Sequence, residues 1–449
     1  MPGHPRPQTG TLSTVVAAVL GFFVITLDAT IVNVALPSIR AELGGGIAGL
    51  QWVVDGYTLM FAALLLSAGS LTDRIGAGRA FGVGVALFAV ASIACGAAPN
   101  LAVLIVARFV QGIGAAIVMP SSMALIRQAF DDARARARAV AVWATGGAVA
   151  AAAGPLLGGL LSLASWRWIF LVNVPVAVLT LVLLRRGPAG PRHRVPYDWA
   201  GQVAAILAMG GITYGAIEAG TLGFLAPGVL IAFAVGILSA VAFAVIQARG
   251  RHPMMPLDLF RSRALDSAVV IGFGFMVGFY GLPFLFSLYL QTHRGLAPLA
   301  TGIVFLPMLA LPITLTPFMA HITDRVGPRL PVVTGLALMA AASTALALLP
   351  SDAPTWALAL LLVPVGLGGP LIMPPTTAVL LESAPPQQAG TVSGVFNTSR
   401  QVGGALAVAV FGALTAVSGG FYRGQQISLV VTAVVAVLAG CAAFGLRRR

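Results

Sequence analysis

Few side chains in this sequence could do chemistry, and several of them lie where charge is costly. The run Phe22 to Pro37, FFVITLDATIVNVALP, holds one carboxylate, Asp28, and one amide, Asn33, among apolar residues. An aspartate near the centre of a bilayer costs roughly 2.5–3.5 kcal/mol on insertion scales, so it is usually functional and something faces it. The candidate partner is Arg108, in the run Leu101 to Leu125. Asp28 lies about eight residues below the end of its run near Leu36, and Arg108 about seven below the end of its own on the same side. At about 1.5 Å per residue the two depths agree within about 2 Å. Burial raises a carboxylate's pKa and a nearby arginine lowers it. Alternating exposure of such a pair could therefore load and release a proton. The same two residues could also be a static ion pair that fixes helix packing.

Other candidates are read with two meanings each. Asp55, about five residues into the second apolar run, is either a water-facing group at the mouth of a pathway or a second proton site. Arg400 is a charge inside a late apolar run with no obvious acidic partner, leaving backbone carbonyls or Asn397. Gln111, Asn33 and Gln401 either contact a substrate or satisfy neighbours. The run around Phe273, Phe275, Phe279, Tyr280, Phe284, Phe286 and Tyr289, ending at Gln291, is dense in aromatics. It suits an apolar cavity wall for lipophilic compounds, or simply a face turned to lipid. The candidate cavity set is Asn33, Gln111, Phe279, Tyr280, Gln291, Asn397 and Arg400, and the proton-coupling set is Asp28, Arg108 and Asp55.

The elements that must position these residues follow from composition. The chain has 449 residues, is 58% hydrophobic and only 9% charged, with a mean hydropathy of +0.96. A soluble domain carries about 25% charged residues, so most of this chain must face lipid, and no polar stretch is long enough for a large soluble domain. Apolar runs near 12–36, 50–71, 80–98, 101–125, 137–163, 168–185, 199–219, 226–247, 266–290, 297–321, 330–350, 355–381, 391–414 and 426–446 predict about fourteen transmembrane helices. The first run is too long for a signal peptide and is read as a retained helix. Cys95 and Cys441 fall in separate apolar runs and read as small buried residues, not as a disulfide or metal pair.

All 26 basic residues are arginine, giving a net charge of +13. They sit in gaps between apolar runs, which points to topology and not to nucleic acid. With the N-terminus inside, 20 fall in cytoplasmic gaps, four in outer gaps (Arg40, Arg167, Arg294, Arg423), and Arg108 and Arg400 within spans. The bias predicts that both termini are cytoplasmic. Trp52, Trp166, Trp168 and Trp356 fall at outer ends and Trp199 at an inner end, as an aromatic belt requires. The lysine-free, alanine-rich composition matches a GC-rich, actinobacterium-like genome.

A repeat sets the organisation. LTDRIGAGR (Leu71 to Arg79) and ITDRVGPR (Ile322 to Arg329) are 251 positions apart, about eight spans. Two six-helix units would place them six apart, so two helices are inserted. The expected layout is a tail (1–11), a first six-helix bundle (12–185), a linker (186–198), two inserted helices (199–247), a second linker (248–265), a second bundle (266–446) and a basic end (447–449). In the repeated turn, Gly69, Asp73, Arg74 and Gly76 and their counterparts Asp324, Arg325 and Gly327 form a candidate conformational latch. A carboxylate at one helix end can accept from a neighbouring helix N-terminus or pair with arginine. A plain topogenic turn is the alternative. In GPLLGG, Gly154, Pro155, Gly158 and Gly159 combine a kink with small residues one turn apart, which favours close packing. Pro307, Pro312 and Pro317, and Pro364, Pro370, Pro374 and Pro375, mark two interrupted helices.

These motifs together resemble the major facilitator superfamily. The turn GSLTDRIG resembles its signature loop, with Ala77 and Gly78 standing where basic residues are usual. LDATIVNVALPSI (Leu27 to Ile39) and WVVDGYTL (Trp52 to Leu59) resemble the first two helices of its fourteen-span drug–proton antiporters. RFVQGIGAA (Arg108 to Ala116), GPLLGG, SWRWIFLVNVP, LPFLFSLYLQ and FNTSRQVGGA add agreement along nearly the whole chain. The resemblance implies an all-α integral membrane protein of the bacterial cell membrane, with GPLLGG as an antiporter motif. It implies a transporter, not an enzyme, that exports hydrophobic or amphipathic drugs in exchange for protons. Its partners would be lipophilic small molecules, protons and the bilayer, without nucleic acid; it would need no cofactor and work as a monomer. A transporter of one small metabolite is the alternative. A receptor or enzyme is disfavoured, since no nucleotide loop, metal-spacing cluster or nucleophile constellation is present.

Overall fold

The computed structural model describes residues 9–130, 132–185, 197–250, 253–383, 389–417 and 420–446. The tail 1–8, most of the first linker (186–196) and the basic end 447–449 lie outside these residues. Among the described residues the chain is helical throughout, without strands. The helices are α1 (Thr9–Leu43), α2 (Ile47–Ile75), α3 (Ala77–Gly96), α4 (Leu101–Ala129), α5 (Ala133–Ser162), α6 (Trp168–Leu171), α7 (Asn173–Leu184), α8 (Trp199–Leu222) and α9 (Pro227–Arg249). They continue as α10 (Arg263–Leu288), α11 (Pro298–Leu315), α12 (Met319–Val326), α13 (Arg329–Leu348), α14 (Thr355–Ser383), α15 (Ala389–Val417) and α16 (Phe421–Ala442). Twelve helices among the described residues are long and apolar enough to cross a bilayer. The segment Trp168–Leu184 is shorter. In lipid every backbone polar group must be satisfied within the chain, which is why a sequence this apolar has only helices available to it.

Helix ends carry local signals. Asn100, Asp132 and Asp198 each accept from a backbone N–H three residues on, at 3.0, 2.7 and 2.8 Å, capping α4, α5 and α8. The two repeated turns fold alike: Gly76 and Gly327 adopt φ of +91° and +78°. Their N–H groups donate to Thr72 O and Thr323 O at 3.0 and 2.9 Å. Only glycine enters that backbone region without strain. Asp73 and Arg74 therefore sit on the last turn of α2, and Asp324 and Arg325 on that of α12, all four exposed.

Two sets of helices are recognisable by their contacts. α1 packs on α4, α5 and α7, and α4 on α2 and α3; α10 packs on α14, α15 and α16, and α13 on α14 and α16. The pair α8–α9 lies against α2 and α15. Gln202 of α8 donates to Ala63 O at 2.9 Å and accepts from Ser67 Oγ, while Trp52 Nε1 donates to Glu218 at 3.4 Å. α2 and α15 meet along their length, from Gln51 at Gly412 to Leu66 at Gly394. The contacts of α1 with α10 and of α5 with α11 lie toward the end opposite the Asp-Arg turns. Ser287 Oγ donates to Asn33 O (2.6 Å), and Gln291 Nε2 to Val34 O (2.8 Å). A Cβ on Gly159 would come within 2.7 Å of Leu299 Cα.

Several expectations are corrected. α1 runs seven residues past Leu36, so Arg40 is on a helix. The sixth run is divided at Val172 into α6 and α7, with Val172 itself keeping helical φ and ψ of −61° and −24°. α11 breaks at Thr316–Phe318 as its prolines foretold, but α14 stays helical through Pro364, Pro370, Pro374 and Pro375. Proline removes one N–H and bends a helix without having to end it. Cys95 is buried but Cys441 is exposed near the end of α16, because hydropathy cannot separate lipid contact from protein contact. Trp166 is buried, its Nε1 donating to Glu42 Oε2 at 2.6 Å, and does not join the belt formed by exposed Trp168, Trp199 and Trp356.

Candidate functional site

The depth match between Asp28 and Arg108 is a contact. α1 brings Asp28, and α4 brings Arg108 and, one turn on, Gln111. Arg108 Nη1 donates to Asp28 Oδ2, and both side chains are fully buried. The guanidinium is held from several sides. Its Nη1 also donates to Gln111 Oε1 at 2.7 Å and its Nε to Val53 O at 2.8 Å. Its centre stands 4.4 Å from the ring of Tyr57 and 5.7 Å from that of Phe170, within cation–π range. Tyr57 is itself fixed by donating to Ile25 O at 2.9 Å.

The other carboxylate oxygen takes two amides. Gln111 Nε2 and Asn173 Nδ2 each donate to Asp28 Oδ1 at 2.8 Å. Gln111 Nε2 also donates to Ser92 Oγ at 2.9 Å, and Cys95 Sγ donates to Gln111 Oε1 at 3.6 Å. The network thus joins α1, α2, α3, α4 and the start of α7. Arg108 Nη2 and Asn173 Oδ1 are buried with no hydrogen-bond partner. An ion pair this dry is held by its remaining hydrogen bonds as much as by charge, and removing one partner leaves a buried charge uncompensated. Gln111 belongs to this network and not to an open cavity wall. Asn173 and Ser92 were missed in the sequence because neither carries charge; the only signal was an amide inside LVNVPVAV.

Asp55 is not a mouth group in water. It is fully buried, accepting only from Thr58 Oγ1 at 3.2 Å, and its Oδ2 has no partner. Among the described residues no cation pairs with it. An ionised carboxylate in such a place is costly, and its neutral form far less so.

The remaining candidates divide in two. Asn33 and Gln291 serve the contact between α1 and α10, Asn33 through its backbone oxygen. Phe279, Tyr280, Asn397 and Arg400 gather elsewhere. Arg400 Nη1 donates to Asn397 Oδ1 at 3.0 Å, its Nε has no partner, and its centre lies 5.8 Å from the Phe396 ring. Tyr280 stands 5.9 Å ring to ring from Phe279, interacts electrostatically with Arg400, and packs against apolar clusters of both helix sets. Phe275, Phe284, Phe286 and Tyr289 are buried and Phe273 is half-buried, so α10 turns these aromatics inward and not to lipid.

The glycine motif is a packing surface. A Cβ on Gly154 would come within 2.8 Å of Thr30 Cβ, and one on Gly158 within 2.6 Å of Ile31 O. Gly302 in turn packs on Pro155 O. GPLLGG therefore seats α5 against α1 and α11 at once. Gly69, by contrast, has open space around it.

The family model described as Major Facilitator Superfamily matches residues 18–408. The chain is 38% identical over 412 residues to the multidrug resistance protein Stp of Mycobacterium tuberculosis, covering 90% of this chain and 76% of that one. It is 33% identical over 426 residues to a methylenomycin A resistance protein of Bacillus subtilis, covering 94% and 91%. Among solved structures it is similar to the xylose transporter XylE from E. coli, with a TM-score of 0.67, 15% identity and coverage of 98% and 96%. The chain belongs to the major facilitator superfamily.

Proposed function

We propose that this chain is a proton-coupled exporter of hydrophobic or amphipathic compounds that works by alternating access. The observation that carries the proposal is the pair of buried carboxylates. Asp28 sits under a guanidinium and two amides, and Asp55 has no cation at all. Two acids with such different surroundings, one charged and matched and one unmatched, are what a membrane protein needs to take up and release protons as its helices rearrange. The names of the relatives, resistance to several drugs or to an antibiotic, support export of such compounds.

The architecture we propose for this work has fourteen spans, the twelve together with Trp168–Leu184 and α15. Both ends of the chain are cytoplasmic in a bacterial cell membrane, as the arginine bias requires. The first bundle is 12–185, the inserted pair 199–247 and the second bundle 266–446. The contacts near Asn33, Gln51 and Gly159 then close the outer face, and the exposed Asp73, Arg74, Asp324 and Arg325 form latches at the cytoplasmic face. The protein works as a monomer and draws on the proton gradient without a cofactor.

The test uses inverted membrane vesicles with an imposed pH gradient. Asp28→Asn keeps the size of the side chain and removes its charge. The variant is expected to insert normally and to lose gradient-driven transport. Full gradient-driven transport by Asp28→Asn would refute the coupling.

A further inference from the structure

Along the seam between the two helix sets, the partly exposed charge without an ionic partner among the described residues is a cation, Arg400. Asp28 is fully engaged by Arg108, Gln111 and Asn173. Asp55 is closed off, its neighbour Gly56 packed on Ile105 and Arg108 of α4. Neither presents a free carboxylate. On the opposite side of the seam Arg400 is half-buried, with a single hydrogen bond to a neutral amide and Nε unpartnered. Among the described residues no carboxylate pairs with it. Around it stand Asn397, Phe396 and Tyr280, with Phe279 beside Tyr280, which reaches across to the first helix set. Farther along the same seam, beyond the contact of α1 with α10, lies a cavity of about 280 Å³. Arg40 and His293 line it, with the hydroxyls of Thr292 and Thr415 and the ring of Phe421, and no carboxylate does.

From this we infer that the exported compound is an acidic amphiphile, a carboxylate or phenolate on an aromatic body. Its anion is held by Arg400 and its rings by Phe279 and Tyr280. The inference rests on the exporter reading above and names its substrate class. A partly desolvated guanidinium with spare donors pairs strongly with planar anions. A cationic amphiphile would meet like charge there, with no carboxylate to offset it. The cavity at Arg40 and His293 offers the same anion a second cationic station on the outer side.

The experiment compares two dyes that share a xanthene ring, anionic fluorescein and cationic rhodamine 123, in inverted vesicles under a pH gradient. Each dye is quantified after lysis at one fixed pH. Fluorescein is expected to accumulate at least about tenfold faster than rhodamine 123 in vesicles carrying the unaltered protein. Arg400→Gln should lower fluorescein uptake roughly 10- to 100-fold, the worth of one charge-assisted pairing, and Arg400→Lys should restore part of it. Rhodamine 123 moving as fast as fluorescein would overturn the substrate class while leaving proton-driven export intact. Fluorescein uptake unchanged in Arg400→Gln would overturn the role of Arg400. Uptake of neither dye would overturn the inference, with the Asp28→Asn assay judging the exporter reading separately.

Discussion

Gln51 offers a direct way to move the balance between the two faces of the molecule. It is buried near the start of α2, and its Nε2 donates to Val408 O at 3.0 Å and Ala409 O at 2.6 Å on α15. Gln51→Leu keeps the bulk and removes both bonds. The two carbonyls lie inside a continuous helix, so their own ladder bonds remain and no new buried acceptor is orphaned. The loss is then the net worth of two hydrogen bonds, about 1–3 kcal/mol. If those bonds exist only when the outer face is closed, that equilibrium shifts roughly 5- to 150-fold toward opening. The assay is a spin-label distance across the outer face, between Gly46→Cys on the α1–α2 loop and Ala297→Cys before α11. Exposed Cys441 is replaced by serine, and Cys95 is buried. The variant should move population from the short to the long separation. An unchanged distance distribution would refute the reasoning and leave the closure to the α1–α10 and α5–α11 contacts.

Further outcomes follow from the packing. Arg108→Met leaves Asp28 buried without its cation, and should lower stability by about 3–5 kcal/mol, read from thermal unfolding in detergent. The double variant Asp28→Asn/Arg108→Met should recover a good part of that loss, and no recovery would mean that the pair is not the cause. Gly158→Ala places a Cβ within 2.6 Å of Ile31 O and should cost about 1–3 kcal/mol. Gly69→Ala enters open space and should leave both unfolding and transport unchanged.

The sequence was most legible where bilayer physics acts on single residues. The cost of charge in lipid picked out Asp28, Arg108 and Arg400, and the rigid rise of a helix was enough to pair the first two by depth alone. The repeated turn was legible because only glycine makes its backbone, and Gly76 and Gly327 do so with nearly the same φ. What stayed hidden depends on facing. Hydropathy scores lipid contact and protein contact alike, so Cys441 was placed on the wrong side and the aromatics of α10 were left between a cavity wall and a lipid face. Asp55 was left between a mouth group and a second proton site because its facing was hidden; it is fully buried, with Gly56 beside it packed on α4. Asn173, Ser92 and Gln51 carry no charge, and their importance lies wholly in which atoms they meet.

The membership of the Asp28 network limits how it can be coupled to transport. Every side chain that donates to Asp28 comes from α4 or α7, and Ser92, behind them, from α3. α4 and α7 pack on α1, and α3 packs on α4 and α7, all in the same set. A rocking of one set against the other moves them together and leaves the carboxylate as it was. If Asp28 exchanges a proton as proposed, the exchange requires a change inside the set. Asn173, at the start of α7, holds Asp28 from within that set. Asp55 stands differently. Its helix, α2, packs on α4 within its own set and also carries Gln51 onto α15, so it is shared between the set and the seam.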